Sequence, residues 1–399
     1  MTTERLYFRD SYLREFSARV LSASPGQGWT EVVLDRTAFY PEGGGQPSDV
    51  GMLGGYPLDE VLERDGIILH RVQGVVTEGE VAGQLDWERR FDCMQQHSGQ
   101  HILSQAFERL LGAPTVSFHM GLESSTIDLG TSALEQGQVD EVERLANSVV
   151  FENRPILVHL LEGSDLSRFH LRKATDRTEG IRVVEIQDFD EIPCGGTHCR
   201  STGEVGLVKV VRWDRRAGNS RVEFLCGVRA LRDYQAKNRA VLHLASSLSV
   251  KDREVPGAVE RLQRELGEAR HRMEQLMDRL LDREAEALLS QARVVDGVSV
   301  VSVLLSDYGA EELKRLAGKI TAHPRAVALL AGGSEKAHLV FARSEELGFD
   351  AGQLLRKVSS PFGGKGGGQP NLARGGLPST EDAGIALEAA VRELFSATG

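Results

Sequence analysis

No stretch of this sequence approaches the ~20 consecutive apolar residues that a membrane-spanning helix requires. Its opening residues, MTTERLYFRDSYLREF, are charged where a secretory leader would be apolar. Cysteine is scarce: Cys93, Cys194, Cys199 and Cys226 are the only four in 399 residues, too few and too scattered for a disulfide framework. These absences predict a cytoplasmic protein with no membrane partner. An excess of basic charge is missing as well. The net charge of −11 argues against a bulk nucleic-acid coat but leaves room for a local basic patch, because a phosphate backbone responds to the local charge distribution. Two catalytic signatures are also absent, the HEXXH of zinc proteases and the GxxxxGK[ST] of nucleotide phosphate loops.

The rest of the composition is ordinary for a globular chain, 41% hydrophobic and 26% charged, and the length suffices for two or three cores. Residues 1 to about 90 alternate apolar and polar side chains between Gly and Pro turns, as in EFSARVLSAS and WTEVVLDRTAFY, and predict strands. Met94 to Leu111 turns helical, and a second helix is expected over Gln138 to Asn153. Strands return at PILVHLLE, RVVEIQDFD, VGLVKVVRW and RVEFLCG. One long charged helix is expected from Tyr234 to Ala292. Within it Val259, Leu262, Leu266, Ala269, Met273, Leu276 and Leu280 step by three and four, a heptad seam suited to a helical hairpin or a dimer contact. Pro256 marks either the start of the seam helix or a break between two helices. From about Val294 apolar runs and amphipathic segments alternate, predicting a mixed α/β domain that ends in a helix over TEDAGIALEAAVRELFSA.

The residues with the most chemical content are His97 and His101 in QQHSGQH, and Cys194 and His198 in IPCGGTHC. Each pair is spaced i, i+4, which on a helix puts both members on one face. Neither pair closes a tetrahedral shell. Together they offer one thiolate and three imidazoles, a donor set that suits one zinc ion per chain. With all four bound the shell is saturated, as in structural sites, whereas catalytic zinc keeps a position open. Both readings of the metal stand at this point.

Two glycine-rich segments and one basic segment complete the candidates. Gly43-Gly44-Gly45-Gln46 follows a strand ending in Thr37 to Tyr40, and suits either close backbone approach to a ligand or a plain hairpin turn. Gly363 to Gln369 sets five glycines around Lys365, with Arg374 downstream. Flexible amides plus one cation predict a loop for phosphate or a nucleic-acid backbone, made by Gly364, Lys365, Gly367, Gly368 and Arg374. KVVRWDRRAGNSR carries Lys209, Arg212, Arg215, Arg216 and Arg221, either a basic patch or a solvated strand and turn.

FYPEGGGQPSDVG, RRFDCMQQHSGQHIL and IPCGGTHCRSTGEVG, in that order, resemble the editing domain of alanyl-tRNA synthetase. GGKGGGQPNLARGG resembles the glycine-rich motif of its C-terminal domain, a DHHA1-like domain. The resemblance spans nearly the whole chain and includes no adenylate-forming module, so the chain is similar to the long form of the free-standing AlaX editing proteins. That likeness implies hydrolysis of serine, or glycine, from mischarged tRNA(Ala). It implies zinc on His97, His101, Cys194 and His198. It further implies that Thr37 hydrogen-bonds the serine hydroxyl, and that Gln46 with the backbone amides of Gly44 and Gly45 positions water or stabilises the oxyanion. Arg212, Arg215 and Arg216 are then candidates for tRNA contact. Ser98 and Gln100 depart from the alanine and threonine usual between the synthetase histidines.

The fold expected is α+β. A β-rich, barrel-like domain (1–90) carries the first glycine loop, and a zinc-containing α/β editing domain (91–232) follows. A helical coiled-coil segment (233–292) leads to a mixed α/β C-terminal domain (293–399). A homodimer through the coiled coil or the last domain is allowed. The rival function is a non-catalytic, zinc-stabilised tRNA-binding protein. A phosphoesterase is disfavoured, since there is neither a DHH motif nor an aspartate-rich metal cluster beside the histidines.

Overall fold

The computed structural model describes residues 3–161, 163–173 and 180–396; Met1, Thr2 and Ala397, which belong to the terminal segments read above, lie outside the described residues. The chain forms two compact units, residues 1–247 and 248–399.

The first unit begins with β1 (Glu4–Arg5), β2 (Glu15–Pro25), β3 (Thr30–Leu34), β4 (Arg36–Thr37), β5 (Gly51–Leu53), β6 (Tyr56–Arg64), β7 (Ile67–Val72) and β8 (Gly79–Leu85). Six of them close a barrel in the order β2-β3-β7-β6-β5-β8. Period-two alternation drives this closure: along β7 every second residue, Ile68, His70 and Val72, is buried. Their neighbours in the barrel core include Val20, Val32, Leu34, Leu53 and Val61.

His70 is the polar exception in that row, and its partners explain how it is tolerated. Its Nδ1–H donates to the Val32 carbonyl at 3.0 Å, which leaves Nε2 bare to accept the Thr37 hydroxyl proton at 2.8 Å. Burial lowers its pKa from 6.5 to about 4. The folded value lies below the unfolded one, so the stability is fully present above the unfolded pKa and is lost as the pH falls toward the folded value. The expected loss from this group alone between pH 7 and pH 5 is about 2 kcal/mol. Urea midpoints of the parent protein and of His70→Gln at both pH values check this; equal pH slopes in the two would refute it.

The barrel leads into α1 (Trp87–Leu111). Asp86 caps it by accepting from the Arg89 N–H at 3.1 Å, and Gly112 ends it with φ of 58°. The helix starts one and a half to two turns before the apolar periodicity at Met94, because the capping aspartate sets its first residue. Next come β9 (Thr115–Met120), β10 (Ser125–Leu129), α2 (Gln136–Phe151), β11 (Ile156–Leu161), β12 (Ile181–Ile186), β13 (Asp190–Pro193), β14 (Val208–Arg216), β15 (Asn219–Cys226) and α3 (Gly227–Ser247). The sheets are β14-β15-β10-β9 and β11-β12-β13, both antiparallel. Ile102, Leu103 and Phe107 of α1 join Val142 and Ala146 of α2 and Ile127, Val222 and Phe224 of the larger sheet in one core.

The second unit has α4 (Val255–Ser290), β16 (Arg293–Val295), β17 (Val298–Leu305), α5 (Ala310–Thr321), β18 (Ala326–Gly332), β19 (Ala337–Arg343), α6 (Ala351–Ser359), β20 (Lys365–Gln369), β21 (Leu372–Leu377) and α7 (Ala383–Ser396). Its sheet runs β16-β17-β18-β19-β21-β20. Strands β17 and β18 are parallel, joined by α5 as the crossover. Two separate hydrophobic clusters cover the sheet, one with α5 and the last turns of α4, the other with α6 and α7.

Two expectations change here. The single helix from Tyr234 to Ala292 is instead α3 and α4, with Ser249 at φ 53° in the break and Pro256 in the first turn of α4, where its missing N–H is harmless. The second glycine segment is not an open loop. Residues Lys365–Gln369 form an edge strand paired with β21. A Cβ at Gly364 would lie 2.6 Å from Leu377, and one at Gly366 2.6 Å from Leu355, so these glycines serve close packing. Among the described residues no helix is long and apolar enough to cross a membrane.

Candidate metal centre

The middle of α1 is buried on all sides, including its polar residues Gln96, His97, Ser98, Gln100 and His101. A helix that buries this much polarity must satisfy it: Gln96 pairs with the Cys226 backbone and Gln100 with Ser104, while the Cys194–Cys199 loop after β13 meets His97 and Ser98. The ligand atoms of His97, His101, Cys194 and His198 all lie within 4.8 Å of one another. Cys194 Sγ is 3.4 Å from His97 Nε2 and 3.3 Å from His198 Nε2. Zinc bonds of about 2.0–2.3 Å in a tetrahedron put neighbouring donors about 3.3–3.7 Å apart, so the spacing fits.

The remaining ring nitrogens support the same orientation. His97 Nδ1–H donates to Gln46 Oε1 at 2.7 Å, and His198 Nδ1 meets Ser98 Oγ at 3.2 Å. Each contact turns Nε2 toward the thiol. His101 Nδ1 has no hydrogen-bond partner among the described residues; its nearest carboxylate contact is Asp190 Oδ2 at 3.9 Å, and Arg172 holds Asp190 at 2.8 Å. Burial keeps the imidazoles neutral, the form that binds metal. It brings the His97 pKa down to about 3, assisted by the Arg182 charge, and holds His101 and His198 well below 6.5. Burial pushes the Cys194 thiol up, and a divalent cation would reverse that shift.

Gln46 braces the cluster. Its Oε1 also accepts the Thr197 N–H at 3.3 Å, and its Nε2 donates to Thr197 Oγ1 at 2.9 Å. The bond from the barrel loop to the CGGTHC loop therefore runs through one amide. Gly196 must lack a side chain, because a Cβ there would sit 2.1 Å from His97 Cε1. The barrel loop itself is clamped by the fully buried Arg90 of α1. Its Nε lies 3.0 Å and 3.1 Å from the two Asp49 oxygens, Nη1 donates to the Ser11 carbonyl at 2.8 Å and Nη2 to the Ala38 carbonyl at 2.6 Å. Asp49 in turn accepts the Tyr40 N–H at 2.6 Å.

A cavity of about 910 Å³ opens beside the cluster, with His97, Cys194, Tyr40, Gly44, Phe118 and Arg182 in its wall. Gly45 packs behind it, its carbonyl accepting the Met120 N–H at 2.8 Å. Thr37 is not brought to this wall. It is fully buried, its hydroxyl proton is directed at His70, and its oxygen accepts the Phe39 N–H at 3.1 Å. The alternating pattern of β7 placed His70 inside the barrel but did not indicate that it would take the Thr37 proton.

Of the basic segment, Lys209, Arg212 and Arg221 have carboxylate partners in Glu143, Glu223 and Asp128. Arg215 and Arg216, by the β14–β15 turn, are exposed and make no ion pair among the described residues. Gly364, Lys365, Gly367, Gly368 and Arg374 belong to the second unit, and Arg374 pairs with Glu311 at 2.7 Å. Ser98, Thr197 and Arg182 were missed as site residues. Their types are common, and only the fold reveals what they touch.

Comparison with known proteins agrees with this layout. Residues 181–223 match the threonyl and alanyl tRNA synthetase second additional domain, and residues 297–397 match the DHHA1 domain. The alanyl-tRNA editing protein AlaX-L of Pyrococcus horikoshii is 33% identical over 93% of this chain and 94% of its own length. The alanine–tRNA ligases of Pyrococcus furiosus and Archaeoglobus fulgidus are 33% and 32% identical over 97% and 100% of this chain, which spans 43% and 44% of their lengths. With likeness along nearly its full length to a protein of its own size, the chain belongs to the long-form AlaX family of alanyl-tRNA editing proteins.

Proposed function

We propose that this protein is an aminoacyl-tRNA deacylase that removes serine or glycine from mischarged tRNA(Ala). The observation that carries the reading is the four-donor cluster in the wall of a cavity large enough for an aminoacylated terminal nucleotide. Editing of this kind answers a physical limit: a pocket sized for alanine cannot keep glycine out, and rejects one added hydroxyl only weakly. One zinc ion on His97, His101, Cys194 and His198 would supply Lewis-acid polarisation next to the ester.

This chain's own residues do the rest. Gln46 fixes the His97 ring and joins the two loops. Gly44 offers backbone at the cavity wall, and Gly45 seats that loop against β9. Thr37 acts one layer back, fixing through His70 and the Phe39 N–H the strand end that carries Tyr40 and the glycine loop. The exposed Arg215 and Arg216, with Arg212, would meet acceptor-stem phosphates. The Lys365 hairpin with Gly364, Gly367, Gly368 and Arg374 would be a second RNA contact, on the C-terminal domain (293–399). Leu266, Met273, Leu276 and Leu280 on α4 are 52%, 64%, 64% and 52% exposed, and a second copy of the chain would cover this seam.

Purified protein incubated with Ser-tRNA(Ala), Gly-tRNA(Ala) and Ala-tRNA(Ala) tests the reading by amino-acid release, with and without a zinc chelator. Rapid, chelator-sensitive loss of serine with alanine retained is expected. Release no faster than the spontaneous rate, with tRNA still bound, would leave the non-catalytic zinc-stabilised alternative. Sedimentation of the same preparation as a monomer would remove the second copy.

A further inference from the structure

Arg182 on β12 is 5% exposed, and a guanidinium so deeply buried normally has every N–H engaged. Two of its nitrogens are held by backbone. Nη1 donates to the Cys194 carbonyl at 2.6 Å, and Nε donates to the Phe8 carbonyl at 3.3 Å. The Cys194 N–H returns a bond to the Arg182 carbonyl at 3.0 Å, so strand and loop fix each other. Phe8 also lies under the guanidinium, 5.5 Å from ring centroid to Cζ. Nη2 alone has no acceptor among the described residues. Arg182 lines the same cavity as His97, Cys194 and Gly44. Its charge is felt by all four candidate ligands: it lowers proton affinity at the three histidines and favours the Cys194 thiolate.

A buried cation in the wall of this cavity, with one nitrogen that has no acceptor and is covered until its side chain shifts, is suited to receive an acceptor that arrives with the substrate. A phosphate is a poor candidate, since the bidentate fork that arginine offers to phosphate is already divided between two carbonyls. One open nitrogen suits one oxygen. Building on the deacylase reading, we propose that Arg182 is a catalytic residue, whose Nη2 donates to the carbonyl oxygen of the scissile aminoacyl ester and holds the negative charge that develops there. Water adds to the carbonyl carbon and the carbonyl π pair moves onto that oxygen. Collapse re-forms the carbonyl and breaks the bond to the ribose oxygen. That oxygen takes up the proton the water gives up, yielding the free amino acid and a tRNA with its terminal hydroxyl restored. The attachment of Nη1 to the Cys194 carbonyl keeps the guanidinium in register with the loop that carries Cys194 and His198.

Arg182→Lys and Arg182→Gln test the assignment in single-turnover deacylation of Ser-tRNA(Ala), with enzyme varied to saturation and bound zinc measured on the same samples. The expected result is a saturating rate lower by about 100- to 1000-fold in both variants, with half-saturation within about 3-fold of the parent and zinc content unchanged. Lysine keeps the charge, but its single nitrogen cannot span the Phe8 and Cys194 carbonyls and an ester oxygen as the planar guanidinium does, so it is not expected to rescue. An unchanged saturating rate would overturn the proposal. So would a loss confined to half-saturation, which would make Arg182 a tRNA grip, or a loss of zinc in step with the rate, which would make it a loop brace. A parent protein that releases no serine would instead sink the deacylase reading, an outcome separable from every variant result.

Discussion

Cys194→Ala is expected to abolish chelator-sensitive deacylation while leaving a folded protein that still binds tRNA. The loss in kcat/KM should be on the order of 1000-fold or more, the scale of the several kcal/mol that a bound cation contributes to an ester-hydrolysis transition state. Bound zinc, measured by elemental analysis, should fall with it, because Cys194 supplies the cluster's one thiolate, and its Sγ lies 3.4 Å from His97 Nε2 and 3.3 Å from His198 Nε2. The fold should survive, because the surrounding core does not depend on the metal. Met94, Ile102, Leu103 and Phe107 of α1 are buried against apolar side chains from α2 and the larger sheet, and Gln46, Thr197 and Ser98 tie the two loops to the helix without help from the thiol. A thermal or urea transition within about 1 kcal/mol of the parent, together with lost activity, is the expected pair of results. Global unfolding of the variant would show that the metal is structural and would favour the non-catalytic reading.

The second large effect lies at Arg90. Arg90→Met leaves the Asp49 carboxylate, 2% exposed, with the Tyr40 N–H as its remaining strong donor, and leaves the Ser11 and Ala38 carbonyls without the guanidinium. Breaking one side of a buried ion pair typically costs about 3–5 kcal/mol, since the partner charge stays buried and uncompensated. Urea unfolding followed by circular dichroism reads this directly. The double variant Arg90→Met with Asp49→Leu should recover part of the loss, because removing both charges removes the uncompensated one; it should not recover all of it, because three backbone groups have lost their partners. A single-variant loss below about 1 kcal/mol would mean that water takes the place of the guanidinium and that the clamp is weaker than its geometry implies.

The candidate ligands were legible in the sequence because i, i+4 spacing is a local property, and both pairs carry side chains that zinc selects. The β-rich start was legible for the same reason, since alternation is local. What escaped was whatever depends on a partner far along the chain. Gln46 reads as a pocket residue, yet its amide is spent on His97 and Thr197, a residue 151 positions away. Thr37 reads as a hydroxyl-recognising residue, yet His70, 33 positions on, takes its proton. Arg182 looks like an ordinary charged residue in a mostly apolar strand, and only the fold shows that Phe8 and Cys194 occupy two of its nitrogens. The glycines after Gly363 illustrate a different limit. Their sequence suggests mobility, whereas the fold uses them for absent bulk beneath Leu355 and Leu377. The break between α3 and α4 had a local sign in Pro256, but proline at a helix start and proline between two helices leave the same mark.

His97 and Cys194 are 97 positions apart. At ~5–20 residues per second, a ribosome exposes the two helical histidines on the order of 5–20 s before the thiol can reach them. Until then the nascent chain holds at most half of a coordination shell, and neither half can close one. On the proposed zinc reading, hydrolytic competence would arrive in one late step, when the CGGTHC loop docks on α1, rather than growing with chain length. A chain cut short before that loop would be inert toward every charged tRNA in the cell, including the correctly charged ones that protein synthesis depends on.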